Sequence, residues 1–371
     1  VSDVYLISSL FQYISPVSTI FAALMLFGQT QDTLFKIREN GRYGFIDAAG
    51  TVIIEPQYLE AGEFLNGFTR ARLNDRWAPL DSLGRLLLKR SYRTVGICSN
   101  HLIRVQLVQL WGFIDQRGNE VISPKFDEAS DFHEDLAAVK FQQKYGFIRP
   151  DGQFAIPPQF DDAGNFNDGL APVCIDQHWG YINKTGQWVI EPQWDSARHF
   201  HKKVAVITQN GCWGLIDRSG QILQSPQFSF VENHSYGEFF DGMALAYKNN
   251  KYGFVNDEGV LAVEPIFDMA GDYGEGLALV EINGAYGFIN KEGKIAIMPK
   301  YEDAGVFADG LAQARNNGLW GYIHTDGQWA ISPKYTTASP FRAGLALVTM
   351  KGKWQYIDRF GGVIWTENDI T

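Results

Sequence analysis

An aromatic residue that is always Trp or Tyr returns through the chain at Tyr43, Trp77, Trp111, Tyr145, Trp179, Trp213, Tyr252, Tyr286, Trp320 and Trp354. Each step is 34 residues, except for 39 between Trp213 and Tyr252, where "VENHSYGEFF" carries the extra length. An internal period constrains a fold more than composition does, because each unit buries its faces on its neighbours and the array forms one body. Other positions keep the register. Glycine follows the aromatic in eight of ten units, and a glycine stands seven positions after it in all ten. Proline occupies offset thirteen in eight units and an aromatic residue offset fifteen in nine.

The period of 34 residues is also that of helix-turn-helix repeats, but the residues oppose helices. Several glycines and a proline punctuate short apolar runs such as "GFI", "VIS" and "LALV", which reads as strands bounded by turns. In "YGFINKEGKIAI" the turn Asn290-Lys291-Glu292-Gly293 has an Asx first and Gly fourth, the type I preference, and joins two antiparallel strands. Each unit is therefore a three-stranded β-meander, LAxV, [WY]GFI and xxxI, and residues 33–371 form an all-β array of ten such meanders. Strands that are apolar at successive positions are buried on both faces, as when small sheets stack face to face. Both ends of the array coincide with a meander boundary, whereas a closed ring often shares one blade between its termini. The expected architecture is thus an open superhelical stack, with a closed propeller-like ring as the alternative.

Phe never occupies the ten-fold aromatic position, so the polar tip of Trp or Tyr is expected to reach a backbone carbonyl while the ring packs between sheets. Trp194 sits at the linker aromatic position, whereas Trp188 recurs only as Trp329 and is the indole least explained by the fold. The pattern [WY]-G-[FY]-I-[DN]-x-x-G followed by P-x-[FY]-D-x-A-x-x-F-x-[DE]-G-L-A resembles the bacterial WG (KWG) repeat. That resemblance implies a β-rich repeat protein that mediates interactions, and it carries no catalytic residue or cofactor with it. The second unit departs most: "WAPLDSLG" lacks the glycine, its linker lacks the proline, and a distorted sheet is expected there.

With 42 acidic against 32 basic residues the net charge is −10, which disfavours nucleic acid and anionic membrane surfaces as partners. Cys98, Cys174 and Cys212 lack metal or disulfide spacing and read as buried thiols. Asp115, Asp217 and Asp358 alternate with Asn183 and Asn290 at the turn start, so they cap their own turns. Asp161, Asp162 and Asp168, with Asn165 and Asn167, match no calcium loop, and His199 and His201 share a strand face without an evident third ligand. No metal or cofactor is expected.

Residues 1–32 are nearly free of charge and include "VSTIFAALMLF", which reads as an export signal or membrane anchor, or else as an apolar cap on the first meander. A membrane is expected as a partner only through that segment. The expected function is a non-enzymatic scaffold for an unidentified protein partner, with Lys184, Arg218 and Lys291 as contacting turn tips free of structural duty. The alternative is a module that binds a glycan or other small ligand by stacking on Trp188 and Trp329.

Overall fold

The computed structural model describes residues 33–74, 76–87, 92–230 and 237–368. The segment read as a signal, anchor or cap lies outside these residues. Ten small antiparallel sheets follow one another along the chain, as the repeat predicts. Seven are four-stranded and three are three-stranded among the described residues, because the linker contributes a strand that the sequence pattern did not reveal. In the fourth blade Glu128–Ala129 pairs with Ala137–Phe141, which pairs with Lys144–Ile148 and then Phe154–Phe160. We label the four strands of a blade A to D in chain order, A being the short linker strand. The segments that follow A border a central cavity, so A is innermost and D forms the outer edge.

Local chemistry explains each blade. At the B–C hairpin of the first blade Asn40 and Gly41 both have positive φ, the conformation of a two-residue type I′ turn, and Asn-Gly is the pair that accepts it most easily. The C–D turn is held by its own carboxylate or amide: Asp115 Oδ1 accepts from the amides of Arg117 at 2.8 Å and Asn119 at 2.7 Å. Asp217, Asp358, Asn183 and Asn290 do the same in their blades, as expected. The glycine after the ten-fold aromatic has a different cause. Trp111 pairs with Phe126 and Phe113 with Ile122, so Gly112 alone faces the bulge Ser123-Pro124-Lys125. A Cβ on Gly112 would lie 2.5 Å from the Ile122 carbonyl oxygen. The proline sits in that bulge on the outer edge strand, where its missing N–H costs no ladder hydrogen bond and blunts the edge against further pairing.

Blades pack through a repeated aromatic pair. The aromatic two positions after the ten-fold residue meets the linker aromatic of the next blade, as in Phe45–Phe64, Phe147–Phe166 and Tyr322–Phe341, with ring centroids 4.7 to 4.8 Å apart. Such pairs contribute roughly 0.5–1.5 kcal/mol each beyond the area they bury. In the second blade Pro79 replaces this aromatic, and the region of its D strand makes only the isolated bridges Leu80–Leu86 and Trp77–Tyr92 among the described residues. The irregularity expected of that unit is where the sequence placed it.

The expectation of an open stack is overturned at the ends of the array. Tyr356 of the tenth blade packs edge-to-face on Phe35 of the first, 5.5 Å between centroids, and donates its hydroxyl to the Lys36 carbonyl at 3.0 Å. Phe35, Ile37 and Ile46 share one buried cluster with Leu345, Tyr356 and Trp365. Arg38 pairs with Glu367 at 3.1 Å and lies over the Trp354 ring, while Arg342 reaches the Phe64 carbonyl at 3.1 Å. The tenth blade thus packs face to face on the first, with Phe35 of the first blade's strand Phe35–Glu39 meeting the ring that a linker aromatic meets elsewhere, and the molecule is a closed ten-bladed β-propeller. The sequence reading failed because it took strand exchange between termini as the mark of closure; here the ring seals by packing whole blades face to face.

Candidate functional site

The ten-fold aromatics do not share the role expected of their polar tips. Trp213 is fully buried, yet its Nε1 has no hydrogen-bond partner, and Tyr145 donates to the Glu128 carboxylate at 2.7 Å instead of to a carbonyl. Most of the series is half-buried, and several rings carry a cation on one face, as with Arg104 over Trp111 at 4.6 Å. Trp and Tyr suit this half-wet position because one side is apolar and the other tolerates water and charge. Trp188 and Trp329 are half-buried and pack edge-to-face on Phe160 at 6.0 Å and Tyr301 at 5.6 Å. Both therefore fill the interface with the preceding blade.

Alternation of strand direction places the A–B and C–D turns on one face of the ring, and here the predicted contact tips are engaged internally. Glu134, in the A–B turn of the fourth blade, accepts from the Gly169 amide of the fifth at 3.0 Å and pairs with Lys184 at 3.1 Å. Asp241 likewise takes the Gly276 amide and pairs with Lys291 at 3.0 Å. Between the sixth and seventh blades the polarity is reversed, with Lys202 in the A–B turn and Asp257 in the C–D turn at 2.6 Å. Arg218 lies 5.6 Å from the Phe200 ring centroid. Lys184 and Lys291 are therefore not free of structural duty, since they brace neighbouring blades, whereas the contact of Arg218 is with a ring of its own blade. The sequence could not show this, because the partners lie up to fifty residues away.

The linker acids do not converge. Asp161 is held below the usual carboxylate range by its bond to Lys144, Asp162 accepts the amide of Ala163, and Asn167 donates to the Phe200 carbonyl at 2.7 Å. Among the described residues no group of three or more His, Cys, Asp or Glu side chains is placed to hold a metal ion, His199 and His201 included. Cys98 and Cys174 are buried and Cys212 half-buried, all three as free thiols. No described helix is long and apolar enough to cross a membrane.

Two further features stand out in the ring. The central cavity, of about 2020 Å³, is bordered by the inner segments of blades around the ring, with Arg198, His199, His201 and Lys202 on its wall. The opposite face carries the B–C turns. There the first turn residue is Asn, Asp, Gln or Lys with positive φ in the other blades, but in the third it is Val108, with φ 58°. Val108 is 76% exposed and Leu110 beside it 39%. A β-branched residue in this conformation is a true outlier.

With this geometry in view, the sequence profile described as WG containing repeat matches residues 43–77, 111–145, 145–177, 179–211, 213–252, 252–284, 286–320 and 320–354. The chain belongs to the WG-containing-repeat family. The stretch from 78 to 110, which the eight matches omit, holds the irregular part of the second blade and the start of the third. No curated protein matches the sequence. Among solved structures, one described as the eukaryotic initiation factor is similar at TM-score 0.50 and 9% identity, covering 91% of this chain and 96% of that one. Such identity speaks to fold alone, and it does so over nearly the whole of both chains. BamB from Moraxella catarrhalis is similar at TM-score 0.36 and 10% identity, over 85% of this chain and 98% of its own. PorZ of Porphyromonas gingivalis is similar at TM-score 0.34 and 10% identity, over 85% and 52%.

Proposed function

We propose that this WG-repeat propeller is a non-enzymatic scaffold whose B–C turn face binds a partner protein. One observation carries the reading: Val108 holds a left-handed conformation at an exposed tip where the repeat otherwise supplies polar residues suited to it. The left-handed form costs a residue with a Cβ roughly 1–2 kcal/mol relative to its ordinary conformations. Exposed Val108 and Leu110 gain nothing from solvent, so burial against a partner is what offsets this strain. The opposite face supports the choice, because its Lys184 and Lys291 are committed to bracing blades.

The test is site-specific photocrosslinking in cells of origin. A crosslinker at position 110 is expected to yield a protein adduct that one at position 185 does not. Val108→Asn is expected to stabilise the fold by about 1 kcal/mol while weakening that adduct. Equal adducts at both positions, or an adduct indifferent to Val108→Asn, would place the contact elsewhere.

A further inference from the structure

The run "RHFHKK" at 198–203 is exceptional in a chain of net charge −10, and the fold turns four of its side chains, Arg198, His199, His201 and Lys202, onto the cavity wall of the sixth blade. Neighbouring units show what the fold itself requires there. The residue before the inner aromatic is His199 in this blade but Asp131, Asn165 and Val306 in others; the residue after it is His201 here and His133 in the fourth blade, but Asn167 and Ala308 in others. Imidazoles at both positions are therefore not demanded by blade packing.

The rings are held ready. His201 stacks on Phe239, centroids 5.1 Å apart and planes within 9°, which fixes its orientation. Among the described residues neither the His199 nor the His201 imidazole has a hydrogen-bond partner, His201 bonding to Val204 through its backbone alone. Arg198 is held by Glu238 at 2.6 Å and Lys202 by Asp257 at 2.6 Å, so the two permanent cations are anchored and neutralised. The groups facing His199 are Glu238, Arg198, His133 and Asp168, and those facing His201 are Lys202, Asp257, His199 and Asp168. Burial within the ring wall, together with the adjoining cations, holds the pKa of both imidazoles below the ordinary histidine range.

We propose that Arg198, His199, His201 and Lys202 form a site for a small multivalent oxyanion, bearing carboxylate or phosphate groups, and that this site tightens on acidification. At neutral pH the wall offers anchored cations whose charge Glu238 and Asp257 balance, together with two neutral N–H donors. Protonation adds up to two positive charges against one further facing carboxylate, Asp168, and each charged donor makes a stronger bond to an oxyanion than its neutral form. Linkage then requires that a bound oxyanion raise the pKa of both rings.

The experiment is calorimetric titration of the full chain with citrate and, separately, with tripolyphosphate, at fixed ionic strength and at pH of about 7.5 and about 5.5. Binding is expected to be tighter by about tenfold or more at the lower pH. The His199→Gln, His201→Gln double variant is expected to lose that gain. Binding of citrate alone or tripolyphosphate alone identifies the headgroup, and binding of both supports the shared chemistry. If the double variant fails to fold, NMR titration of the histidine C2 protons in the unaltered chain decides, since two of the seven histidines must shift upward in pKa with ligand. Absence of binding by both anions, equal affinity at the two pH values, a pH gain that survives the double substitution, or ring titrations indifferent to ligand would each overturn the proposal.

Discussion

At the scale of single residues, the repeat separates what a position must do from what a particular side chain adds. Gly112 was legible as a close approach, because a recurrent glycine beside a large ring asks for one; the approach is to the bulged neighbouring strand of its own sheet. The tryptophans were only partly legible, since composition reports that an indole is needed and not how deeply it sits. Trp213, fully buried between blades, and Trp188, half-buried at an interface rim, separate these cases. Trp213→Ala is expected to cost about 3–5 kcal/mol through lost transfer energy and the cavity left behind. Trp188→Ala should cost visibly less, measured by chemical denaturation with matched m-values. Equal small losses would mean that Trp213 is not the core residue its burial indicates.

At the scale of the blade, three strands were visible in the sequence and the fourth was not. A two-residue strand such as Glu128–Ala129 has no periodicity of its own, and its pairing is set by where the linker must cross toward the cavity. The braces between turns were hidden for a related reason: the same "NKTG" that shows a turn is silent about Glu134 of the previous blade. Charge reversal at Lys184 and Lys291 together places two like-charge contacts against Glu134 and Asp241. These pairs are part-exposed, so each original bridge contributes no more than about 1 kcal/mol and is screened by salt. The double reversal is expected to lower the melting temperature by a few degrees at low ionic strength, and high salt should erase most of that difference. An unchanged melting temperature at low salt would show that these tips carry no structural load. The reversed pair Lys202–Asp257 indicates that the interface accepts either polarity, so restoring opposite charge matters more than restoring the original sign.

At the scale of the whole molecule, the decisive contact joins residues more than three hundred positions apart, and no local pattern reports it. Phe35 and Ile37 look like any first strand in the sequence, yet they bury against Leu345, Tyr356 and Trp365. A ring closed by packing alone makes a further demand: the chain order around it should be exchangeable. Joining residue 368 to residue 33 by a linker of the kind that connects internal blades, as residues 336–344 connect the ninth to the tenth, leaves every blade interface in place. New termini belong between residues 230 and 237, within the longer connection after the sixth blade. This circular permutant is expected to fold with an unchanged scattering profile. Its melting temperature should fall by only a few degrees, since loop length enters closure entropy weakly. An open stack would instead lose the native contact between its sixth and seventh units and gain a tether that its separated ends could not span. Aggregation of the permutant, together with an elongated scattering profile for the unpermuted chain, would therefore refute the closed ring.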